Sequence, residues 1–202
     1  MTQNPDNRWA AYYAAGSGRA PRPLLVDAMA RFAANSPDAL PRLAVDLGCG
    51  DGTETQALLQ QGWRVLAIDQ EPAALQLVEA KVQGETRTRL ETRVASFENL
   101  LLPAADLIYA GYSLPFCAPA HFTSLWQTIV TALPPDGCFA GQFFGPHDSW
   151  AKNPNLTILA AEQVQQLCQA FEIESWQEVD EDGDSFRGPK HWHIFHVIAR
   201  KI

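Results

Sequence analysis

The segment from Leu43 to Thr53, LAVDLGCGDGT, constrains the fold of this chain more than any other. A short apolar run that carries Asp46 is followed by three glycines at alternating positions, after which a helical pattern begins. Glycine adopts positive φ without strain and lets a ligand approach the backbone closely. A strand that ends in such a turn before a helix places backbone N–H groups where ligands bind. The segment therefore predicts a strand, a ligand-binding turn and a helix in succession.

The same order of strand and helix recurs along the chain. Apolar runs predict strands at residues 43–47, 63–69, 88–95, 106–110 and 138–144. Helical patterns follow or separate them at about residues 53–61, 72–82, 120–133 and 160–170. Such alternation implies an α/β fold, in which a doubly wound, mostly parallel sheet has helices on both faces. Two further strand-like runs, 172–179 and 191–200, are joined by an acidic segment without helical period, which predicts a C-terminal antiparallel β-hairpin.

Length and composition fit a globular chain. Its 202 residues, 47% hydrophobic and 19% charged, are enough for one domain. We expect residues 1–40 to form a helical lid or cap packed on the same domain, and residues 41–202 to form the sheet domain. The net charge of −8 argues against nucleic acid as a partner, because no broad basic face is available.

Cellular location follows from features that the sequence lacks. No apolar run reaches the roughly 20 residues of a membrane span, and the polar N-terminal segment has no apolar core typical of a signal peptide. The four cysteines are dispersed without Cys-x-x-Cys spacing, which indicates reduced thiols. We therefore expect a cytoplasmic protein, monomeric or homodimeric, that acts on a small molecule and binds neither nucleic acid nor membrane.

The residues before the first strand suggest a cover and a clamp. Trp9 and Tyr13 lie at helical spacing in a segment that glycines end, so they cover either the domain edge or a pocket. Arg19 follows those glycines and Arg22 stands between two prolines. An arginine on a stiff turn binds a carboxylate through two parallel hydrogen bonds. The alternative is a solvated surface arginine.

Two classes of cofactor use a glycine turn of this kind. A dinucleotide fingerprint needs a third glycine where this chain has Thr53, and Asp51 would repel a pyrophosphate. S-adenosylmethionine carries no phosphate, and its ammonium group suits an acidic residue such as Asp46 or Asp51. Its ribose hydroxyls need an acceptor at the end of the second strand, where Asp69 stands. The turn therefore favours S-adenosylmethionine.

With these residues the chain resembles the class I S-adenosylmethionine-dependent methyltransferase family. The matching segments are VDLGCGDG at 45–52, AID at 67–69, ADLIY at 105–109 and LPPDG at 133–137. The resemblance covers about residues 40–200, and the order of elements is similar to that of small-molecule methyltransferases of the tellurite-resistance and thiopurine type. It implies a Rossmann-like, seven-stranded sheet closed by the C-terminal hairpin.

The resemblance also implies roles for single residues. Gly48 and Gly50 would allow close approach of the cofactor, Asp46 would orient the turn or the amino group, and Asp69 would bind the ribose. The adenosine would lie beside Gln70, and the adenine near Ser96 and Phe97. Arg19 would hold the cofactor carboxylate. The candidate cofactor-binding residues are therefore Arg19, Asp46, Gly48, Cys49, Gly50, Asp51, Asp69, Gln70, Ser96, Phe97, Tyr109 and Ala110.

Methyl transfer from a sulfonium needs alignment of the nucleophile and exclusion of water. Tyr112, after the fourth strand, is the first candidate for a substrate or sulfonium contact, and His147, after the fifth, is the candidate base. Tyr112 and His147 are thus the candidate catalytic residues. The candidate substrate-binding residues are these two together with Trp9, Tyr13 and Trp150, which could form an aromatic enclosure that attracts a cation. The identity of the acceptor (N, O, S or chalcogen) stays open.

Other functions are weighed against this one. His191 and His193 share one face of a strand and His196 points to the other, so the three histidines predict no metal site. The region after the fourth strand lacks the Asn/Asp-Pro-Pro-aromatic signature of amino-methylating DNA enzymes and the paired glutamates of protein-arginine methylation. A non-catalytic S-adenosylmethionine-binding or regulatory module remains as the alternative.

Overall fold

The computed structural model of the chain describes residues 18–35 and 42–202. The strands are β1 (Leu43–Leu47), β2 (Arg64–Asp69), β3 (Leu90–Val94), β4 (Leu107–Ala110), β5 (Cys138–Phe144), β6 (Phe171–Ser185) and β7 (Gly188–Lys201). The helices are α1 (Pro23–Asn35), α2 (Thr53–Gln60), α3 (Pro72–Lys81), α4 (Pro119–Ala132) and α5 (Ala161–Leu167). The expected lid around Trp9 and Tyr13, and its boundary with the sheet domain, lie outside the described residues.

Within the described ranges, the seven strands form one sheet in the order β3-β2-β1-β4-β5-β7-β6. Strands β1 to β5 pair in parallel, whereas β7 is antiparallel to both β5 and β6. The predicted doubly wound, mostly parallel α/β sheet with a C-terminal antiparallel β-hairpin is confirmed. The strand order reverses between β1 and β4, and ligands of open parallel sheets bind at the carboxyl ends of the strands at such a point.

Two apolar layers cover the sheet, one on each face. One contains Trp126 of α4, which packs edge-on against Phe139 of β5 with ring centroids 4.9 Å apart. The other contains Leu25 and Phe32 of α1 together with Trp63. Both faces of the central strands are therefore buried, which explains why these strands read as continuous apolar runs. None of the helices in the described part of the chain has the length and apolar character needed to cross a membrane.

The C-terminal hairpin is longer than expected. The sequence predicts a solvated turn over Asp180–Asp184, but strand β6 continues through these residues to Ser185, so that prediction is wrong. Asp180 pairs with His193 and Asp182 with His191 in the antiparallel register. Carboxylates thus stand opposite imidazoles. Asp residues by themselves disfavour a β-strand, and cross-strand pairs of this kind stabilise it.

Candidate active site

The glycine turn after β1 is shaped by its two neighbouring strands. Gly48 has a φ of 72° and Gly50 a φ of 53°, both in the left-handed region. The amides of Gly48 and Cys49 donate to the carbonyl of Ile68 in β2. A Cβ at Gly48 would lie 2.4 Å from the Cβ of Ser113, so no larger residue fits here. Backbone conformation and packing therefore both require glycine at position 48. The close contact between Gly48 and Ser113 also packs the turn after β1 against the turn after β4.

Asp46 lies under this turn and is buried, with 1% of its surface exposed. The hydroxyl of Thr55 donates a 2.6 Å hydrogen bond to its Oδ2. Burial, reinforced by the nearby charge of Glu54, raises the pKa of Asp46 to about 7, although the Thr55 hydrogen bond opposes the shift. A cation beside Asp46 would lower its pKa again, so the carboxyl is arranged to ionise when a positive group binds.

The raised pKa of Asp46 makes stability depend on pH. The folded chain keeps this proton up to about pH 7, whereas an unfolded aspartate loses it near pH 4. The proton therefore favours the folded state at low pH, and we expect the contribution to fall as the pH rises, by about 2 kcal/mol between about pH 5 and 7. Asp46→Asn should remove this component. Denaturant unfolding of both proteins across that range measures it, and equal pH slopes would contradict the assignment.

Charged side chains surround the start of α2. The two terminal nitrogens of Arg19 lie 2.5 Å from the two carboxylate oxygens of Glu54, which is 5% exposed. Arg22 donates its backbone N–H to the same carboxylate. Burial would raise the pKa of Asp51, but hydrogen bonds from Lys81 and Thr53 outweigh burial and lower it. The turn is thus bordered by an arginine–carboxylate pair and an ionised aspartate.

One buried group in this region lacks a partner among the described residues: the hydroxyl of Tyr109 in β4, whose side chain is 1% exposed. Asp46, Glu54, Arg19 and Arg22 all act electrostatically on it. An unsatisfied buried hydroxyl costs about 1–3 kcal/mol. Carboxylates, guanidinium groups and an available hydroxyl in one place suit a zwitterionic amino-acid group, so the residues present fit the methionine part of S-adenosylmethionine.

Asp69, at the end of β2, holds the second side of the turn. Its Oδ2 accepts the N–H of Gly50 and its Oδ1 accepts the N–H of Glu71, both at 2.9 Å. Asp69 therefore fixes the glycine turn from the carboxyl end of β2, where a ribose acceptor is expected.

The other candidates for the adenosine lie close to Asp69 along the chain. Gln70 follows it directly and is exposed. Ala95, which follows β3, donates its N–H to the carbonyl of Asp69 at the end of β2. Ser96 and Phe97 are the next two residues of the chain. Ser96 is exposed, whereas Phe97 is half-buried and packs against the core. The structure thus brings Gln70, Ser96 and Phe97 to the carboxyl end of β2 and β3.

Tyr112 follows β4 with an unusual backbone conformation. Its φ of 57° is rare for a bulky residue and costs about 1–3 kcal/mol. The amide of Tyr112 donates to Oε1 of Gln142, a residue that is 1% exposed. Its ring lies 6.2 Å from both Trp192 and His196 and 6.5 Å from Phe144, measured between centroids. The structure places Tyr112 at the centre of an aromatic group at the carboxyl ends of β4 and β5.

Trp150 belongs to the same aromatic group, because its ring contacts Phe144 and Trp192. A buried ion pair lies against these rings. Nζ of Lys190 lies 2.7 Å from Oδ1 of Asp148, and their side chains are 3% and 0% exposed. The same ammonium lies 3.5 Å from the ring centroid of Trp150 and 3.8 Å from that of Trp192. The predicted attraction of a cation by Trp150 is therefore present, but the cation is this chain's own Lys190.

His147 lies in a different cluster, which it forms with side chains of the hairpin. Its side chain is 66% exposed, and its Nδ1 lies 2.8 Å from Oδ2 of Asp180. Its ring stacks on His193 at 4.6 Å. The structure thus groups the predicted base with the hairpin, and the histidine that it places against Tyr112 is His196.

The cluster around His147 has ligand atoms within metal-binding range. Atoms of His147, Asp180 and His193 lie within 4.8 Å of one another. However, Nδ1 of His193 accepts the backbone N–H of His147, so its proton is on Nε2, which donates to Glu178 at 2.9 Å. Because both ring nitrogens of His193 are engaged in hydrogen bonds, this donor set does not suit a metal ion.

Several residues of the site have no signal in the sequence. Glu54 pairs with an arginine 35 positions away, and Lys190 with an aspartate 42 positions away. Neither pair has a spacing signal. The first-turn position of Glu54, directly after the glycine turn, is the one local feature that could have drawn attention to it.

Comparisons with known proteins agree with this geometry. Residues 44–137 match a family model described as a methyltransferase domain. Trans-aconitate 2-methyltransferase from Methylobacterium nodulans is 30% identical over 111 residues, which are 54% of this chain and 41% of that protein. The chain thus spans about two fifths of the length of this curated relative.

Solved structures share the fold at low sequence identity. TehB from Haemophilus influenzae is 14% identical with a TM-score of 0.69, covering 86% of this chain and 62% of that one. The 1,6-didemethyltoxoflavin-N1-methyltransferase of Burkholderia thailandensis, bound to S-adenosylhomocysteine, is 20% identical with a TM-score of 0.62, covering 100% and 92%. The sheet order, the glycine turn with its two acidic partners and the matched domain agree: residues 44–137 match a methyltransferase domain, and the described residues share the fold of these methyltransferase structures.

Proposed function

We propose that this protein transfers a methyl group from S-adenosylmethionine to a small-molecule acceptor. The observation that carries the proposal is the carboxylate of Asp69, which stands at the carboxyl end of β2 and holds the glycine turn through Gly50. The match of residues 44–137 to a methyltransferase domain supports it. So do the relatives, whose names describe methylation of small molecules.

The chain's own residues have positioning roles in this reaction. Asp46 and Glu54 would hold the ammonium group of the cofactor, Arg19 and the Tyr109 hydroxyl its carboxylate, and Asp69 its ribose. The sulfonium supplies an already activated methyl group, so the protein has to align the acceptor and exclude water. Tyr112 and the rings around it form a half-buried aromatic surface next to the turn. We further propose that the protein is cytoplasmic and is a monomer or homodimer.

Calorimetry with S-adenosylhomocysteine, S-adenosylmethionine and NADH tests the cofactor. We expect the first two to bind with micromolar or tighter dissociation constants, about −8 kcal/mol, and NADH to bind far more weakly because Asp51 repels a pyrophosphate. Tight binding of NADH with no response to either sulfur compound would overturn the proposal.

The alternative is a module that binds S-adenosylmethionine without turnover. The strained φ of Tyr112 favours an enzyme, because strain of this kind is concentrated at sites of chemistry. Release of S-adenosylhomocysteine in the presence of thiols, amines, carboxylic acids and chalcogen oxyanions separates the two functions. Binding without release for every class would favour the module.

A further inference from the structure

The ring of Tyr112 contacts both an arginine and a histidine. The guanidinium carbon of Arg22 is 4.5 Å from the ring centroid. The imidazole of His196 meets the same ring edge-on at 6.2 Å, with an interplanar angle of 88°. Arg22 also acts electrostatically on His196, so its positive charge reaches both groups. A cation and an imidazole therefore stand together at the surface where the acceptor would bind.

A chain of hydrogen bonds fixes the proton of His196. The backbone N–H of Tyr112 donates to Oε1 of Gln142, which turns the amide nitrogen of Gln142 toward His196. That nitrogen lies 3.4 Å from Nδ1 of His196 and donates to it. The neutral imidazole consequently carries its proton on Nε2. Burial, and then the charge of Arg22, lower the pKa of His196, so the ring is neutral near pH 7.

Among the described residues around Tyr112, this arrangement offers hydrogen-bond donors rather than a base. His196 presents an N–H at Nε2, and Arg22 presents a guanidinium whose Nε lies 3.9 Å from Oε1 of Glu54. His147 belongs to the outer cluster with Asp180. A nucleophile that needs deprotonation is poorly served by such a site. An anion that is already ionised at neutral pH is bound by these groups and needs no base.

Resting on the proposed function, we propose that the acceptor is a carboxylic acid, bound as its carboxylate by Arg22 and the Nε2–H of His196, and that a carboxylate oxygen receives the methyl group. The new bond joins oxygen to the methyl carbon while the carbon–sulfur bond breaks and its electron pair goes to sulfur. The products are a methyl ester and a neutral thioether, and no proton moves. The rings of Trp192 and Phe144 beside Tyr112 favour an acid with a planar, unsaturated body.

Binding is the first test and does not depend on turnover. The full chain, saturated with S-adenosylhomocysteine, is titrated by calorimetry with aromatic and unsaturated aliphatic carboxylic acids (benzoate, cinnamate, phenylacetate, itaconate) and with the amide of each. We expect at least one acid to bind about 10-fold or more tightly than its amide, because charge-assisted hydrogen bonds are stronger than those between neutral groups. Equal binding of acids and amides, or no binding of any acid, would overturn the inference.

Variants of His196 separate recognition from folding. His196→Phe removes the donor and should weaken binding of the acid about 10-fold, whereas His196→Gln retains an N–H donor and should lose less. Affinity for S-adenosylhomocysteine should stay unchanged in both variants. Equal losses in the two variants, or a loss of cofactor affinity to match, would mean that His196 has only a packing role and would contradict the inference.

The bond that forms can be identified with a radiolabelled methyl donor. A methyl ester releases its label as volatile methanol in mild alkali, whereas N-, S- and ether-linked methyl groups keep it. We expect alkali-labile label. Alkali-stable label on amines or thiols would overturn this inference while leaving the proposed function intact. Failure of the protein to bind S-adenosylhomocysteine at all would instead overturn the proposed function.

Discussion

Replacing Asp69 with alanine is expected to weaken binding of S-adenosylmethionine at least about 100-fold, or about 3 kcal/mol. The variant would lack the charge-assisted bonds between the Asp69 carboxylate and two ribose hydroxyls, each worth about 1.5–3 kcal/mol. It would also lack the acceptor for the N–H groups of Gly50 and Glu71, which the carboxylate holds at 2.9 Å. Calorimetry with S-adenosylhomocysteine measures the loss, with circular dichroism to confirm that the sheet remains folded.

Asp106 provides a matched control at the opposite end of the sheet. Its Oδ2 accepts the N–H of Leu43, 2.8 Å away, where β1 begins. Asp106→Ala removes the same kind of carboxylate–backbone contact, so it should lower stability while cofactor affinity stays within about 2-fold of the wild type. If Asp69→Ala and Asp106→Ala weaken the cofactor equally, the effect of Asp69 comes from general destabilisation and its assignment to the ribose is wrong.

The parts of the fold that could be predicted are those in which one residue type dictates the local backbone. The glycine turn before Thr53 and the alternating strands and helices follow from φ preferences and periodicity. The parallel order follows because strands joined through helices are wound in one direction. The extension of β6 through Asp180–Asp184 could not be predicted, because its stabilisation comes from His191 in the partner strand, which lies 9 residues from Asp182 and 11 from Asp180.

The candidate site divides in the same way. Asp46 lies one residue before the end of β1 and Asp69 at the end of the neighbouring β2, so their proximity follows from topology. His147 was the predicted base because it follows β5, but the side-chain direction in a loop depends on its tertiary contacts, here with Asp180 and His193. His196 lies in the middle of β7, and only the register with Gln142 brings it to Tyr112. The position of a loop after a strand predicts that its segment reaches the site. It does not predict which of its side chains point into the site.

Replacing Lys190 with methionine is expected to lower the free energy of unfolding by about 3–5 kcal/mol. The change keeps the apolar stem but removes the ammonium, which leaves the Asp148 carboxylate, 0% exposed, without its cation. It also removes the contacts of Nζ with the rings of Trp150 and Trp192. Urea denaturation measures the loss. A change below about 1 kcal/mol would show that the pair is solvated in solution and contributes no more than a surface ion pair.

Two further variants decide what such a loss means. Arg87→Met breaks an exposed pair with Glu79, in which the side chains are 46% and 42% exposed, and should cost less than about 1 kcal/mol. Lys190→Met combined with Asp148→Asn removes both charges, so most of the loss should be recovered if the cause is an uncompensated buried charge. If the double variant is as unstable as Lys190→Met, the ammonium instead stabilises the fold through the aromatic rings. Trp150 would then owe its place beside Trp192 to their shared cation–π contacts with Lys190.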